Sequence, residues 1–335
     1  MSKRRITIKD VSALAGVSVS TVSRVLNASG PISEDTRKVV EEAAAQLKYQ
    51  PNPLARGLVK NQLGGVGVLI PWLAGPYFGG FLEGVQGVVR TTSFRLVVSS
   101  EEAIKEREHA AMAYLLENDA DGVIYYGDSL RPSDIAEINP FGKPVVLIGQ
   151  PATDAHPCVS INDEMGAFLA TRYLIENGHR HIAHMTGHPD AHVTRTRILG
   201  YKKALEQAGL PFDPERIVHY HYSEEGGYRC VQELMGRGVE FTAIFCANDQ
   251  MAIGAYQSLR EFNKRIPEDV SLVGFDDIMF TRYMDPPLTS IRVPIVDMGA
   301  QAARKLIALI EGREMALPDV PTELVVRQSV RRLPH

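Results

Sequence analysis

Asp10-Val11-Ser12-Ala13-Leu14-Ala15-Gly16-Val17-Ser18-Val19-Ser20-Thr21-Val22-Ser23-Arg24-Val25-Leu26-Asn27 reads as two short helices joined by a tight turn. Thr7 can cap the first helix, with Asp10 three residues on at its positive end. Val11, Leu14 and Ala15 fall at i, i+3 and i+4, one apolar stripe. Gly16 supplies the left-handed backbone that a sharp turn needs. Ser18 can cap the second helix, where Val22, Val25 and Leu26 form the matching stripe. The opposite face carries Val19, Ser20, Thr21, Ser23, Arg24 and Asn27. Short hydroxyls, one methyl-bearing contact and an Arg that can fork onto a guanine edge suit a helix entering a DNA major groove.

A helical hairpin packed in an ordinary core has the same periodicity, so the flanks matter. Lys3, Arg4 and Arg5 precede the motif. A third helix is predicted after Ser33, running to Leu47 with Val39, Val40, Ala43, Ala44 and Leu47 buried. The chain carries a net charge of −4, but unevenly. Residues 1–60 hold ten Lys and Arg against five acids, a net +5, and leave −9 on the remainder. A basic head on an acidic body confines phosphate contact to the head.

The order D-V-x-x-x-A-G-V-S-x-x-T-V-S-R-V-L-N over residues 10–27 resembles the headpiece of the lactose/galactose repressor family. Ser12 stands where that family usually has Ala, a small change expected on a buried face. The resemblance gives Thr7, Ser18, Val19, Ser20, Thr21, Ser23, Arg24 and Asn27 a DNA-binding role. It also makes Tyr49–Val59 a hinge helix that orders in the minor groove of DNA, with Asn52, Ala55 and Leu58 as contacts. Asn52 can cap that short helix and Pro53 suits its first position. Gly57, where Ser or Gln is more usual, weakens it in the free protein.

From Leu63 onward, β-branched apolar runs alternate with helical patterns. That alternation implies parallel sheets covered on both faces, and about ten strands imply two Rossmann-like lobes. The predicted fold is thus a small all-α helix-turn-helix headpiece on an α/β core of two Rossmann-like lobes, and the resemblance makes that core periplasmic-binding-protein-like. Expected segments are a headpiece over 1–50, a hinge and linker over 51–63, and a core over 64–335 that binds an effector and dimerises. Within the core, the N-lobe is expected over about 64–162 and 293–324, and the C-lobe over about 163–292 and 325–333. Ala247-Asn248-Asp249-Gln250-Met251-Ala252, Gly274-Phe275-Asp276-Asp277 and Pro287-Leu288-Thr289-Ser290-Ile291 extend the resemblance through the body. Leu169–Ile175, Glu233–Gly238 and Arg292–Val296 look like the galactose repressor branch in particular.

A sugar needs an aromatic face, planar hydrogen-bonding groups and exclusion of water. Trp72, Tyr77 and Phe78 follow the first predicted strand; Arg195 and Arg197 open a helix; Asn248, Asp249 and Asp276 follow two further strands. The resemblance selects Phe78, Arg197, Tyr222, Asn248 and Asp276 as effector-binding residues. Asp249 and Asp277 can equally cap helices, and Gln150 and Asn162 are further inner-wall candidates. Three scattered cysteines, Cys158, Cys230 and Cys246, build neither a disulfide framework nor a zinc site. His184, His188 and His192 have helical metal spacing, but Gly187 and Pro189 interrupt any such helix, so no metal is expected. Gly64-Gly65-Val66-Gly67 precedes a strand instead of linking strand to helix, so it is not a dinucleotide loop.

These readings converge on a cytoplasmic, nucleoid-associated homodimer that binds near-palindromic double-stranded operator DNA under control of a small sugar. It is expected to be a repressor of carbohydrate-utilisation genes, with no cofactor, no catalysis and no membrane partner. Rival readings are a purine-responsive regulator of the same family, a sugar-binding protein without DNA function, and an enzyme on a Rossmann-like frame. The hinge reading makes a direct prediction. Amides 54–58 exchange without protection in the free protein and gain protection on operator DNA, as followed by hydrogen exchange; protection already present in the free protein contradicts it.

Overall fold

The computed structural model describes residues 6–26, 30–49, 63–150, 153, 155–318 and 320–334. They fall into two compact units, one ending at Gly64 and one beginning at Gly65. Asn27, Asn52, Ala55 and Leu58, with all of the predicted hinge helix after Tyr49, lie outside the described residues.

Among the described residues the first unit has three helices, α1 (Ile8–Ala15), α2 (Val19–Leu26) and α3 (Glu34–Gln46). Each begins on a capping residue. The Thr7 amide donates to the Asp10 carboxylate at 2.8 Å, the Thr21 amide to Ser18 Oγ at 3.1 Å, and the Thr36 amide to Ser33 Oγ at 3.3 Å. Gly16 takes φ +65° at the turn between α1 and α2. Val11, Val22, Val25, Val40, Ala43 and Ala44 close the core. Two stripe residues do not join it: Leu14 is 46% exposed and Val39 is 45% exposed. Each lies at the edge of its helix's apolar stripe, beyond the part that the two neighbouring helices cover. Ser12 is only half-buried, and its hydroxyl donates to the Val17 carbonyl at 2.5 Å, which ties α1 across the turn.

The second unit holds two sheets. One has the order β2-β1-β3-β4-β5, all parallel, from β1 (Gly65–Ile70), β2 (Arg95–Ser100), β3 (Gly122–Tyr125), β4 (Val145–Ile148) and β5 (Cys158–Val159). The other has the order β11-β10-β9-β8-β6-β7. Its members are β6 (Ile182–Thr186), β7 (Ile217–His219), β8 (Ala243–Cys246), β9 (Ser271–Asp276), β10 (Thr289–Arg292) and β11 (Glu323–Val325). Only β11 runs antiparallel, against β10. Strands β1, β3, β4, β6, β8 and β9 are buried along their whole length, as helices on both faces require.

Helices α4 (Pro76–Val89), α5 (Lys105–Tyr114) and α6 (Pro132–Ile138) connect the first sheet. Helices α7 (Asp163–Glu176), α8 (His192–Gln207), α9 (Glu224–Gly236) and α10 (Asp249–Glu261) belong to the second. Strands β7 and β11 and helix α6 carry too few residues to show a period and escape the sequence reading. α5 passes at Leu115 into a π-turn that ends at Asp119.

The chain changes sheet three times: between β5 and α7, at Val293-Pro294 between β10 and α11 (Ile295–Ile310), and again before β11. Ile161 and Val320, on the first and third passages, pair with each other. Helix α11 returns to the first sheet and packs on α4. That contact is backbone-close, since a Cβ on Gly84 would lie 1.9 Å from the Val296 carbonyl oxygen and one on Gly299 would lie 2.1 Å from that of Phe81. Two helices can meet this closely only where neither has a side chain in the way. Gly84→Ala is therefore expected to lower stability by about 1–3 kcal/mol through overpacking, read as a drop in the urea midpoint. An unchanged midpoint contradicts the close contact.

Candidate functional site

In the head, the sequence-selected surface is presented as a surface. Thr7, Ser18, Val19, Ser20 and Arg24 are exposed, while Thr21 and Ser23 are half-buried at the edge of α2. The Ser18 hydroxyl bonds those of Ser20 (2.7 Å) and Thr21 (2.8 Å), so three hydroxyls form a fixed cluster at the start of α2. Capped helix, rigid turn and buried valines together aim a short polar row outward, with Arg24 in the last turn.

In the second unit, groups at the strand carboxyl ends of the two sheets approach each other along one seam, the crevice between the lobes. From the first sheet come Tyr77 and Phe78 on α4 and Tyr126 just after β3. Their rings pack edge to face, Tyr77–Phe78 at 5.4 Å and Phe78–Tyr126 at 5.3 Å between centroids, and the Tyr77 and Tyr126 hydroxyls bond each other. From the second sheet come Arg197 on α8, Tyr222 before α9, Asn248 after β8 and Asp276 ending β9. Arg197, Asn248 and Asp276 are buried. The fields of Asp276, Arg197 and Asp163 all reach Tyr77, so these groups meet across the crevice. Gly75 lies against the Gln250 amide there as well.

Arg197 is the most constrained side chain of the wall. Its Nε and Nη2 each donate to Asp163 Oδ1 at 2.8 Å, Nη1 donates to the Ala247 carbonyl, and the guanidinium lies 3.7 Å from the Phe275 ring centroid. Asn248 caps α10 by accepting from the Met251 amide at 2.9 Å and donates to the Tyr222 carbonyl at 3.3 Å. The Tyr222 hydroxyl meets Thr194 Oγ1 at 2.8 Å. Asp276 ends its strand at φ +107°, a strained backbone for a residue with a Cβ, of the kind that clusters at functional sites.

The five sequence-selected residues are thus brought to one crevice. The weaker candidates have structural work instead. Asp249 accepts from Ser290 Oγ (2.6 Å) and the Ile278 amide (2.9 Å). Asp277 is clamped by Arg292 (2.8 Å) and Arg327 (2.5 Å). Asn162 caps α7 through the Met165 amide at 2.9 Å, and Gln150 Nε2 donates to the Gly127 carbonyl. Arg195 Nη1 donates to the Asp190 carbonyl, and Trp72 is 41% exposed.

Asp163, Tyr126, Thr194 and Phe275 were not selected from sequence. Asp163 had a signal, an acid at a strand-to-helix junction like Asn248-Asp249, but its partner lies 34 residues on. The three histidines do not gather: His184 is buried in β6, stacked on Phe245 at 4.5 Å, whereas His188 is an exposed loop residue. Among the described residues no metal-binding cluster occurs, and no helix is long and apolar enough to cross a membrane.

Residues 7–52 match the model of bacterial regulatory proteins of the lacI family, and residues 171–330 match a periplasmic binding protein-like domain. The chain is 36% identical over 331 residues to the HTH-type transcriptional regulator GalR of Escherichia coli strain K12, covering 97% of this chain and 95% of that one. Among solved structures it resembles the complex of the transcriptional regulator CelR with cellobiose, at 32% identity and a TM-score of 0.71, over 97% of this chain and 100% of that one. It also resembles the lac repressor dimer bound to operator and the anti-inducer ONPF, at 28% identity and a TM-score of 0.86, over 98% and 100%.

Burial pushes the Asp249 carboxyl up to about 7, against the bonds from Ser290 and Ile278. Burial likewise raises Asp276 well above the carboxylate range; Arg197 opposes this, and Asp249 and Asp163 add to it. A folded-state pKa above the unfolded one means the native chain holds protons that the unfolded chain has released. The resulting stability is complete below about pH 4, the ordinary carboxylate range, and declines as pH rises. For Asp249 that loss is complete once pH passes about 7. In urea titrations across that range, Asp249→Asn is expected to lose less stability than the parent chain as pH rises; parallel curves contradict the assignment.

Proposed function

This chain belongs to the lacI family of bacterial regulatory proteins, and we propose that it represses carbohydrate-utilisation genes by binding operator DNA as a homodimer. A small sugar held in the crevice, of galactose or glucoside type, sets its operator affinity. The head and the crevice do separate work. In the head, Val19, Ser20 and Arg24 read base edges in one half of a near-palindrome, while Thr7, Ser18, Thr21, Ser23 and Asn27 fix register on the backbone. Asn52, Ala55 and Leu58 serve the hinge in the minor groove. In the crevice, Phe78 and Tyr222 give the sugar its aromatic walls; Arg197, Asn248 and Asp276 take its hydroxyls.

The observation that carries this reading is the juxtaposition of Arg197, Asn248 and Asp276, all buried, with the Tyr77–Phe78–Tyr126 ring cluster of the opposite sheet. Polar groups on one wall and ring edges on the other fit a ligand with hydroxyls at its rim and C–H bonds on its face. The resemblance to the galactose repressor branch supports a galactose-type effector, and the CelR–cellobiose complex supports a glucoside. A sugar acts here only by binding the two lobe arrangements unequally, with couplings of about 1–3 kcal/mol typical of such proteins. On this reading the protein works in the cytoplasm, on the nucleoid, with regulation and not turnover as its task.

Arg24→Ala is expected to abolish discrimination between operator and random duplex in fluorescence anisotropy while leaving sugar binding intact. Asp276→Ala is expected to do the reverse. Loss of both functions in either variant contradicts the division of labour. Operator affinity is also expected to fall steeply with salt, by about 10³-fold or more between 50 and 200 mM if six or more phosphates are neutralised. A flat salt dependence contradicts phosphate contact by the basic head.

A further inference from the structure

The charge of the crevice is not what the presence of Arg197 suggests. Its guanidinium spends two donors on Asp163 Oδ1, both at 2.8 Å, and a third on the Ala247 carbonyl. Both members of the pair are nearly sealed, with Arg197 at 5% exposure and Asp163 at 8%. The positive charge is therefore neutralised inside the wall before any ligand arrives. The fields of Arg195 and His192 both fall on Asp128, on the opposite sheet's side. What remains on the wall is Asp276, 5% exposed and within the field of Arg197 and Asp163.

We propose that Asp163 is a positioning and charge-setting residue, and that it makes this crevice select uncharged sugars against phosphorylated or otherwise anionic ones. The proposal rests on the sugar reading of the crevice and narrows it to a chemical class. Asp163 does two things at once. It locks the guanidinium plane over Phe275, so that the remaining N–H donors keep a fixed direction toward neutral hydroxyls. It also cancels the formal charge that a phosphate would need. A phosphate entering beside Asp276 finds one committed cation and a carboxyl that resists a second negative charge, and like-charge juxtaposition at a buried site costs several kcal/mol. Neutral hydroxyls have no such penalty, because Asp276 can accept from them or, when protonated, donate to them.

The test is calorimetric titration of the full chain with galactose, glucose and cellobiose, and with galactose 6-phosphate and glucose 6-phosphate. The parent sugar that binds is expected to exceed its 6-phosphate by about 30-fold or more. Asp163→Asn, which frees the Arg197 charge, is expected to narrow that gap by about tenfold, whereas Asp163→Glu restores it. A second measurement on the unaltered chain covers an unfolded variant and separates charge from size. A neutral 6-O-acetyl sugar, which adds bulk at the same position without charge, is expected to bind more tightly than the 6-phosphate. A 6-phosphate that binds as tightly as its parent overturns the charge assignment and leaves the sugar reading standing. So does a neutral 6-O-acetyl sugar that is rejected as strongly as the 6-phosphate. Failure of every sugar, phosphorylated or not, overturns the sugar reading and this assignment with it.

Discussion

A guanidinium cannot be buried alone. The cost of stripping water from an isolated ion is far more than one side chain's packing returns, so Arg197 inside the wall requires Asp163 inside it too. This pair joins α7 to α8, and the Arg197 bond to the Ala247 carbonyl adds the end of β8. Phe275 beneath the guanidinium brings in β9. Four elements around the second sheet are thereby held to one side-chain plane. The positions of Asn248 and Asp276 follow from that plane, since each ends a strand it ties down, and Asn248 in turn holds the Tyr222 carbonyl.

The two walls are built by different physics. On the first sheet, Tyr77, Phe78, Phe81 and Tyr126 meet as rings, with only the Tyr77–Tyr126 hydroxyl contact between polar atoms. Such packing is tolerant of small shifts. On the second sheet the contacts are charged and directional, and a displacement of an ångström breaks them. A ligand between such walls is oriented by the second sheet, while the first adapts to its face. The covalent links between the walls are the three passages of the chain, where Ile161 and Val320 pair.

Much of this was legible in the sequence because local chemistry was sufficient there. The caps at Thr7, Ser18 and Ser33, the turn at Gly16 and the valines of α2 are all decided within a few residues. The strand ends that carry Asn248 and Asp276 were visible for the same reason, as polar residues ending apolar runs. What could not be read was whatever depends on a distant partner. Leu14 and Val39 are apolar at the right period and still exposed, because no neighbour arrives to cover that edge. Asp249 and Asp277 look like their neighbours Asn248 and Asp276 in sequence; Ser290, Ile278, Arg292 and Arg327 turn them into braces. Three-residue strands β7 and β11 exist only because a sheet is there to receive them.

The last strand has a temporal side. Ser329 accepts from the Leu272 amide through its carbonyl and from the Thr289 amide through its hydroxyl, and the Leu333 amide reaches Asn177. Arg327 locks Asp277, and α11 covers a sheet whose strands were made more than a hundred residues earlier. A chain emerging from the ribosome can complete its head once residue 49 is out, but neither lobe can close until the residues from α11 to Leu333 have followed. The part that holds the gene is thereby finished first, and the part that listens to the sugar comes into being only after it.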